Sequence, residues 1–414
     1  MLDLKLIRRD PDGVRAALAR RGAEGPLERV LQLDLQRREL LPELEGLRAR
    51  QNEASEAIAS AKRQGGDAKG EIAAMQEVAT RVRELQGRLA EIDEGLNGAL
   101  LELPNLPDPD APEQDTVLRE VGDAGRTGKD HLELAGDLID MEHAAQVSGS
   151  RFAYLKGDLV FLELALVRYA LEIAAGEGFQ AVVPPVLVRA DALYGTGFLP
   201  DAEQQIYRIE ADDLYLVGTS EVSLASLHAG EVLGAGDLPR CYAGFSTCFR
   251  RESGAGGRDT RGIFRVHQFD KVEMFSFVVP ENSQAEHERL LAIEERILRD
   301  LEIPYRVVSI AVGDLGASAA KKYDCEAWLP GQGDFRELTS CSNTTDFQAR
   351  RLAIRYRPEE GSRPLTLHTL NGTAVAVGRT IIALLENGQG EDGSVTFPEA
   401  LVARGAPERM AAAR

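Results

Sequence analysis

Two runs of regularly spaced apolar residues in the N-terminal third constrain the fold of this chain most. The apolar positions alternate in spacings of four and three, the pattern of a coiled-coil seam over about three heptads. The first seam comprises Leu40, Leu44, Leu47, Gln51, Ala54, Ile58 and Ala61, and the second Met75, Val78, Val82, Leu85, Leu89, Ile92 and Leu96. Glycines within residues 64–70 break both helices, so the seams are predicted to face each other in one antiparallel hairpin.

The distribution of charge bears on what this hairpin does. The chain carries a net charge of −19, but residues 1–100 hold 17 Lys/Arg and 18 Asp/Glu and are nearly neutral. Because an acidic surface repels RNA, this part of the chain would be the less repulsive one for an RNA ligand. The basic residues off the seams are Arg48, Arg50, Lys62, Arg63, Lys69, Arg81, Arg83 and Arg88. A hairpin used only for dimerisation or spacing is the alternative interpretation, and composition leaves it open.

A proline-rich segment separates the hairpin from a second domain of different character. Four prolines between 104 and 112 predict a stiff linker, which divides the chain into an arm (1–102), a linker (103–116), a main domain (117–404) and a disordered tail (405–414). In the main domain, helices are expected at 159–175 and 374–385, and strands at 179–187, 214–218, 241–250, 262–278, 305–311, 334–340 and 365–370. Strands in adjacent runs predict an α+β fold with an antiparallel sheet, and Pro184 and Pro185 place the first strand at its edge.

The cysteines and the apolar runs indicate where the protein functions. Cys241, Cys248, Cys325 and Cys341 form no CxxC pair, so reduced structural thiols are expected rather than a zinc site. No apolar run approaches membrane-spanning length, and the first residues are charged throughout. The sequence therefore predicts a cytoplasmic protein without a membrane segment.

The segment 247–273 carries the strongest chemical signal. It is predicted to form two strands joined by a basic, glycine-rich loop. Since strand side chains alternate, Arg250 and Glu252 share one face, and the second strand presents Arg265, His267, Phe269, Lys271 and Glu273 together. Such a face is costly to bury dry and suits an anionic, planar ligand such as a nucleotide. A solvated face with ion pairs is the alternative, and His267 is interpreted as a hydrogen-bonded structural residue rather than a base.

These residues resemble the motifs of class II aminoacyl-tRNA synthetases. Residues 249–252 with Arg265, Phe269 and Glu273 resemble motif 2, residues 369–379 followed by 384–387 resemble motif 3, and residues 178–185 resemble motif 1. Residues 217–221, 337–343 and 346–351 are similar to segments of the seryl subgroup, with Thr339 where many members have serine. Matches in this order along the chain are improbable by chance.

The resemblance implies a fold, a reaction and partners. The fold would be an N-terminal antiparallel coiled-coil hairpin followed by a class II antiparallel-sheet catalytic domain flanked by helices. The reaction would be ATP-dependent ligation of L-serine to tRNA(Ser) through a seryl-adenylate, with Mg²⁺, in a homodimer whose arm binds the tRNA. Charging of tRNA(Sec) is left open.

The resemblance also implies the residues of the site. The catalytic residues would be Arg250, Glu252 and Arg379. Serine would contact Thr219, Ser220, Glu221, Glu273, Asn343 and Thr373. ATP would contact Arg250, Arg251, Glu252, Arg265, Val266, Phe269, Glu337, Leu338, Thr339, Ser340 and Arg379. Glu337 and Ser340 would be ligands of Mg²⁺, which prefers hard oxygen donors.

Two other functions compete with this interpretation. A synthetase-like ligase that loads an amino acid onto a carrier protein would share the catalytic motifs, but we would expect it to lack the long hairpin. A noncatalytic RNA-binding paralogue would be expected to lose Arg250, Glu273 or Arg379, and all three are present.

Overall fold

The computed structural model describes residues 1–63, 69–200, 203–253, 259 and 261–413. The predicted turn at 64–68, the loop residues 254–258 and Thr260, and the side chains of Ala61, Lys62 and Lys69 lie outside the described residues. The chain divides into two compact units, residues 2–103 and residues 104–414 together with Met1. No helix in the described part of the chain is both long and apolar enough to cross a membrane.

The N-terminal unit is built from helices. They are α1 (Leu4–Arg9), α2 (Pro11–Ala19), α3 (Gly25–Arg63) and α4 (Lys69–Glu102). The predicted seams face each other: Leu40, Leu44, Val82 and Leu85 are buried in one cluster, with further seam residues packed around it. Pro42 lies inside α3 without ending it. Burying a leucine or valine side chain contributes about 1.5–3 kcal/mol, so the seam is the main source of cohesion in the hairpin.

Ion pairs between the two long helices flank this seam. Arg37 meets Asp93 at 2.6 Å, and Arg81 meets Glu43 at 2.9 Å. These side chains are largely solvated, and such pairs contribute only about 0–1 kcal/mol each. They help to select the register of the two helices, while burial of the seam supplies most of the stability.

The second unit contains the remaining elements. Its helices are α5 (His131–Ala135), α6 (Met141–Ser148), α7 (Asp158–Gly176), α8 (Ala190–Thr196), α9 (Glu221–Ala225), α10 (Ser283–Asp300), α11 (Phe347–Arg351), α12 (Val377–Asn387) and α13 (Glu399–Val402). Its strands are β1 (Thr116–Val121), β2 (Ile139–Asp140), β3 (Tyr154–Leu155), β4 (Gln180–Val182), β5 (Leu187–Val188), β6 (Arg208–Ile209), β7 (Leu214–Leu216), β8 (Val232–Gly234), β9 (Arg240–Phe249), β10 (Gln268–Val278), β11 (Tyr305–Ser309), β12 (Lys321–Leu329), β13 (Asp334–Thr345), β14 (Arg355–Arg357), β15 (Leu365–Thr366), β16 (His368–Ala376), β17 (Val395–Thr396) and β18 (Arg409–Met410).

One large sheet organises this unit. Within the described residues, eight strands pair in the order β1-β11-β12-β13-β16-β10-β9-β4. All neighbours are antiparallel except β4, which runs parallel to β9 at the edge. Helices α7, α10 and α12 supply much of the apolar core against the sheet. The predicted α+β architecture, a helical arm followed by an antiparallel-rich sheet flanked by helices, is confirmed.

Several boundaries differ from those expected. Residues 374–376 continue β16, in which Val375 and Ala376 pair with β10, and α12 begins only at Val377. The tail expected to be disordered instead pairs β18 with β17 and buries Met410. The proline-rich segment is packed rather than free, since Asn105 is buried and donates to the carbonyls of Ser318 and Thr344. Helix α10 and strand β12 were not predicted, because neither contains a recognisable sequence motif.

Candidate active site

A cleft opens where β10, β13 and β16 meet the first turn of α12. Its lining gathers segments that are more than 100 residues apart in the sequence. The lining residues are Arg250, Glu252, Ile263, Phe264, Arg265, Val266, Phe269, Lys271, Glu337, Leu338, Thr339, Ser340, Thr373, Ala376, Gly378 and Arg379. Most of the residues predicted to bind ATP therefore meet in one concave, largely polar site.

A β-bulge explains how two predicted metal ligands share one face of β13. Residues three positions apart on a regular strand point to opposite faces. Here Glu337 pairs with Glu326 and Thr339 with the adjacent Cys325, so Leu338 is an extra residue. Ser340 then pairs with Asp324, and Glu337 and Ser340 both line the cleft.

Arg250 lies immediately after the end of β9 and is held in place by two contacts. Its Nε donates to the Gly218 carbonyl at 3.1 Å, and its guanidinium carbon lies 5.3 Å from the centroid of the Phe269 ring. These contacts leave its terminal N–H groups for an anionic ligand. Glu252, at a positive φ of 49°, meets Arg265 at 2.8 Å. A left-handed residue places both charges at the mouth of the cleft.

A ring flanked by arginines forms another wall of the cleft. Phe264 has the guanidinium carbon of Arg336 at 4.1 Å and that of Arg379 at 4.6 Å from its ring centroid. Arg379 also donates to the Glu337 carbonyl at 3.0 Å, and Arg336 is paired with Asp259 at 2.9 Å. Sequence reasoning missed Phe264 and Arg336, although Phe264 directly precedes the quoted Arg265.

Lys271 lines the cleft and belongs to a group of buried charged side chains. Lys271 forms an ion pair with Glu273, and its Nζ donates to Thr219 Oγ1 at 2.7 Å. Thr373 Oγ1 donates to Glu273 at 3.4 Å across β10 and β16. Lys271 and Glu273 are 6% and 2% exposed, so each depends on the other for compensation of its charge. The sequence places Lys271 on one face with Glu273, but its role becomes evident only from these contacts.

Glu221 adds a second acid to this buried group. Its Oε1 accepts hydrogen bonds from Gln348 Nε2 at 2.7 Å and Asn371 Nδ2 at 2.9 Å. Burial, reinforced by the charge of Glu273, raises the pKa of Glu221 to about 7. Gln348 and Asn371 lie inside segments quoted for the family resemblance, but neither was assigned to the site. A cation bound beside Glu221 would therefore favour the ionised form of this acid.

Glu337 and Ser340, both on β13, offer a place for a hard metal ion. Burial would raise the pKa of Glu337, but Arg379, Lys322 and Arg250 outweigh it and lower that pKa, so the carboxylate is ionised. Its side chain is 44% exposed and reaches into the cleft. Glu337 and Ser340 both offer hard oxygen donors, the type that Mg²⁺ prefers. The residues present fit this ion, with its other ligands coming from phosphate oxygens and water.

Some predicted site residues lie elsewhere. Arg251 is exposed and its guanidinium carbon lies 5.7 Å from the Tyr207 ring centroid, away from the described cleft lining. The Asn343 side-chain oxygen accepts from Ser283 Oγ and the Thr345 N–H, so it stabilises the end of β13. Ser220 is fully buried, with its hydroxyl toward the Gly244 carbonyl. The side chains of these residues have partners other than the cleft.

His267 also has a structural environment. Its Nδ1 lies 2.9 Å from the Arg250 carbonyl, and its ring packs against Phe152 and Tyr207. These contacts hold the main chain that carries Arg250.

Comparison with known proteins gives one consistent result. The profile for the seryl-tRNA synthetase N-terminal domain matches residues 1–107, and that for the class II tRNA synthetase core domain (G, H, P, S and T) matches residues 205–388. The chain is 53% identical over 411 residues to a serine–tRNA ligase of Acidothermus cellulolyticus, with 97% of each chain covered.

Solved structures agree with the sequence relatives. A seryl-tRNA synthetase from Pyrococcus horikoshii, complexed with ATP, superimposes with a TM-score of 0.94 at 40% identity, with both chains fully covered. A cytoplasmic serine–tRNA ligase from Naegleria fowleri, in complex with AMP, gives a TM-score of 0.88 at 30% identity over 100% of this chain and 99% of that one.

Proposed function

The chain belongs to the seryl-tRNA synthetase family of class II enzymes, and from this we propose that it ligates L-serine to tRNA(Ser) through a seryl-adenylate. The observation that carries the proposal is that a site suited to a nucleotide adjoins a site suited to an amino acid. A cleft lined by arginines and rings, suited to a nucleotide, leads through Lys271 to buried acids suited to an amino acid. Adenylation requires ATP and serine in such adjacent positions.

In the first step the serine carboxylate attacks the α-phosphorus of ATP, and pyrophosphate leaves. We infer that adenine stacks on Phe269 and that Arg379 covers it from the opposite side. Arg250, already fixed by Gly218, meets the α-phosphate and stabilises the charge that develops as pyrophosphate leaves. Glu252 orients Arg265 at the mouth of the cleft, where the distal phosphates would lie. Catalysis is chiefly positioning and electrostatics, as in other phosphoryl chemistry.

Glu337 and Ser340 would hold Mg²⁺ against the phosphates. The ion would neutralise phosphate charge while the serine carboxylate attacks the α-phosphorus. The contribution of the protein is to keep Glu337 ionised beside Arg379 and on the same face as Ser340.

Serine is proposed to bind where the buried acids meet. Its ammonium would contact Glu221 and Thr219, while its hydroxyl would contact Glu273 and Thr373. Lys271 compensates the charge of Glu273 before serine arrives, so the acid can be buried in the empty site. A site built around the serine hydroxyl rejects alanine strongly, because alanine would leave these polar groups unpaired.

In the second step a ribose hydroxyl of the terminal adenosine of tRNA attacks the acyl group and AMP leaves. We propose that the α3–α4 hairpin binds tRNA(Ser). Arg48, Arg50, Arg83 and Arg88 are exposed on it and off the seam, where they can meet phosphates. Charging of tRNA(Sec) is proposed as a second activity, and the cytoplasm as the place of action.

A homodimer is proposed from an exposed apolar surface beside the edge strand. On α7, Val160, Phe161 and Leu164 are 40%, 58% and 59% exposed, and Val183, directly after β4, is 81% exposed. Several large apolar side chains exposed on a helix and at a sheet edge are typical of a protein interface. A second copy of the chain would cover them.

Amino-acid-dependent pyrophosphate–ATP exchange tests the proposal. Across the standard amino acids, exchange should be fastest with serine and should require Mg²⁺. Faster exchange with threonine, glycine or alanine would refute the substrate, and no exchange with any amino acid would favour a noncatalytic RNA-binding protein. Aminoacylation of tRNA(Ser), tRNA(Sec) and a carrier protein, compared in parallel, identifies the acceptor.

A further inference from the structure

A buried carboxyl group lies beneath the nucleotide cleft and has no role in the steps above. Glu294, on α10, is fully buried. Its Oε2 accepts a hydrogen bond from Thr339 Oγ1 at 2.8 Å, and its Oε1 has no hydrogen-bond partner among the described residues. A carboxyl group buried in this way costs free energy, so its contact with Thr339 calls for a functional explanation.

Thr339 is the residue at which the β13 bulge ends. Cross-strand partners share a face, so Glu337 and Ser340 lie with Glu326 and Asp324 on the cleft face. The side chain of Thr339 lies with that of Cys325 on the opposite face, although Thr339 also borders the cleft. Helix α10 packs on that opposite face, where Glu294 meets Thr339. The hydrogen bond therefore holds β13 from behind at the position that returns Ser340 to the cleft.

We propose that Glu294 is a positioning residue, which acts through Thr339 to hold the β13 bulge that places Glu337 and Ser340 together at the Mg²⁺–nucleotide site. The inference rests on the proposed function, since it assigns a task to the supporting layer of that site. A bulge that slipped by one residue would turn one of the two ligands away from the cleft, because side chains alternate along a strand.

The surroundings of Glu294 indicate the form in which it acts. Burial raises the pKa of Glu294 well above its usual value, and the negative charges of Glu273 and Asp324 raise it further. The hydrogen bond from Thr339 acts in the opposite direction and lowers this pKa. Burial therefore disfavours the charged form of Glu294, and a glutamine of the same shape can accept the same hydrogen bond. That equivalence makes Glu294→Gln a rescue variant.

The test compares Glu294→Gln, Glu294→Ala and Thr339→Val in the full-length enzyme, with Glu295→Gln as the matched control. Glu295 is the next residue on α10, but it pairs with Arg119 and Tyr305 away from the cleft. Equilibrium binding of ATP is measured by calorimetry over a range of Mg²⁺, together with kcat, KM for ATP and the midpoint of thermal unfolding.

Glu294→Ala and Thr339→Val should weaken Mg²⁺-dependent ATP binding and raise KM for ATP about tenfold, with a smaller change in kcat. Glu294→Gln should bind like the parent, and Glu295→Gln should lower the unfolding midpoint without changing ATP binding. Parent-like ATP binding by both Glu294→Ala and Thr339→Val, or equal damage in Glu294→Gln and Glu294→Ala, would overturn the inference. If the unmodified enzyme itself bound no ATP, the proposed function would fail instead.

Discussion

Replacing Arg250 by alanine is expected to slow serine adenylation severely while leaving the fold intact. The Arg250 guanidinium is fixed before any ligand arrives, by its hydrogen bond to Gly218 and its position over Phe269. A charge held in this way needs no reorganisation when pyrophosphate leaves, so its benefit appears in the transition state rather than in ground-state binding.

The magnitude follows from what the substitution removes. Losing one preorganised donor to a developing anion costs about 2.7–4 kcal/mol, which is a rate loss of about 100- to 1000-fold. The fold loses one partly buried hydrogen bond to Gly218, worth about 1 kcal/mol, against a domain stability of about 5–15 kcal/mol. Arg250→Lys keeps the charge but loses the planar fork, so its rate should fall between those of the parent and Arg250→Ala.

Single-turnover formation of seryl-adenylate under saturating ATP and serine measures this effect, and thermal unfolding monitors the fold. Arg251→Ala is the matched control, because Arg251 is the next residue but lies against Tyr207. The control should change the rate by less than about threefold. Near-normal single-turnover adenylation by Arg250→Ala, or equal losses in Arg250→Ala and Arg251→Ala, would refute the assignment.

Three further outcomes are expected. Because the pKa of Glu221 is raised to about 7, serine binding measured by calorimetry should strengthen as the pH rises through that value and the acid ionises. Glu221→Gln should bind serine weakly, with little pH dependence in this range. A pH dependence like that of the parent in this variant would count against the role of Glu221. Sedimentation should show a dimer of the 45.0 kDa chain, and Phe161→Glu should produce a monomer; a parent that is monomeric at micromolar concentration would contradict the proposed interface. Replacing residues 27–98 with a short Gly/Ser linker should leave serine adenylation nearly unchanged but abolish efficient tRNA charging, whose steeper salt dependence should disappear with the arm; intact charging would reduce the hairpin to a spacer.

The sequence alone was sufficient for features set by local or periodic patterns. The heptad spacing predicted which residues of α3 and α4 would face each other, since helical periodicity fixes the buried stripe before any tertiary contact forms. Alternation along β10 likewise placed Phe269, Lys271 and Glu273 on one face, whereas Arg265 and His267, predicted to share that face, precede the strand. The motif residues predicted most of the cleft lining.

Only the tertiary structure decided which side chains from different elements meet at the site. The bulge at Leu338 reverses the alternation that would separate Glu337 from Ser340, and its position depends on pairing with β12, a strand without a motif. Gln348 and Asn371 reach Glu221 across long sequence separations, and α10 delivers Glu294 to the back of the cleft. Asn343 and Arg251 lie in quoted motifs, yet their side chains turn to other partners. Periodicity fixes the face that a residue presents within its own element, but the partner it meets depends on the packing of distant elements, which no local pattern encodes.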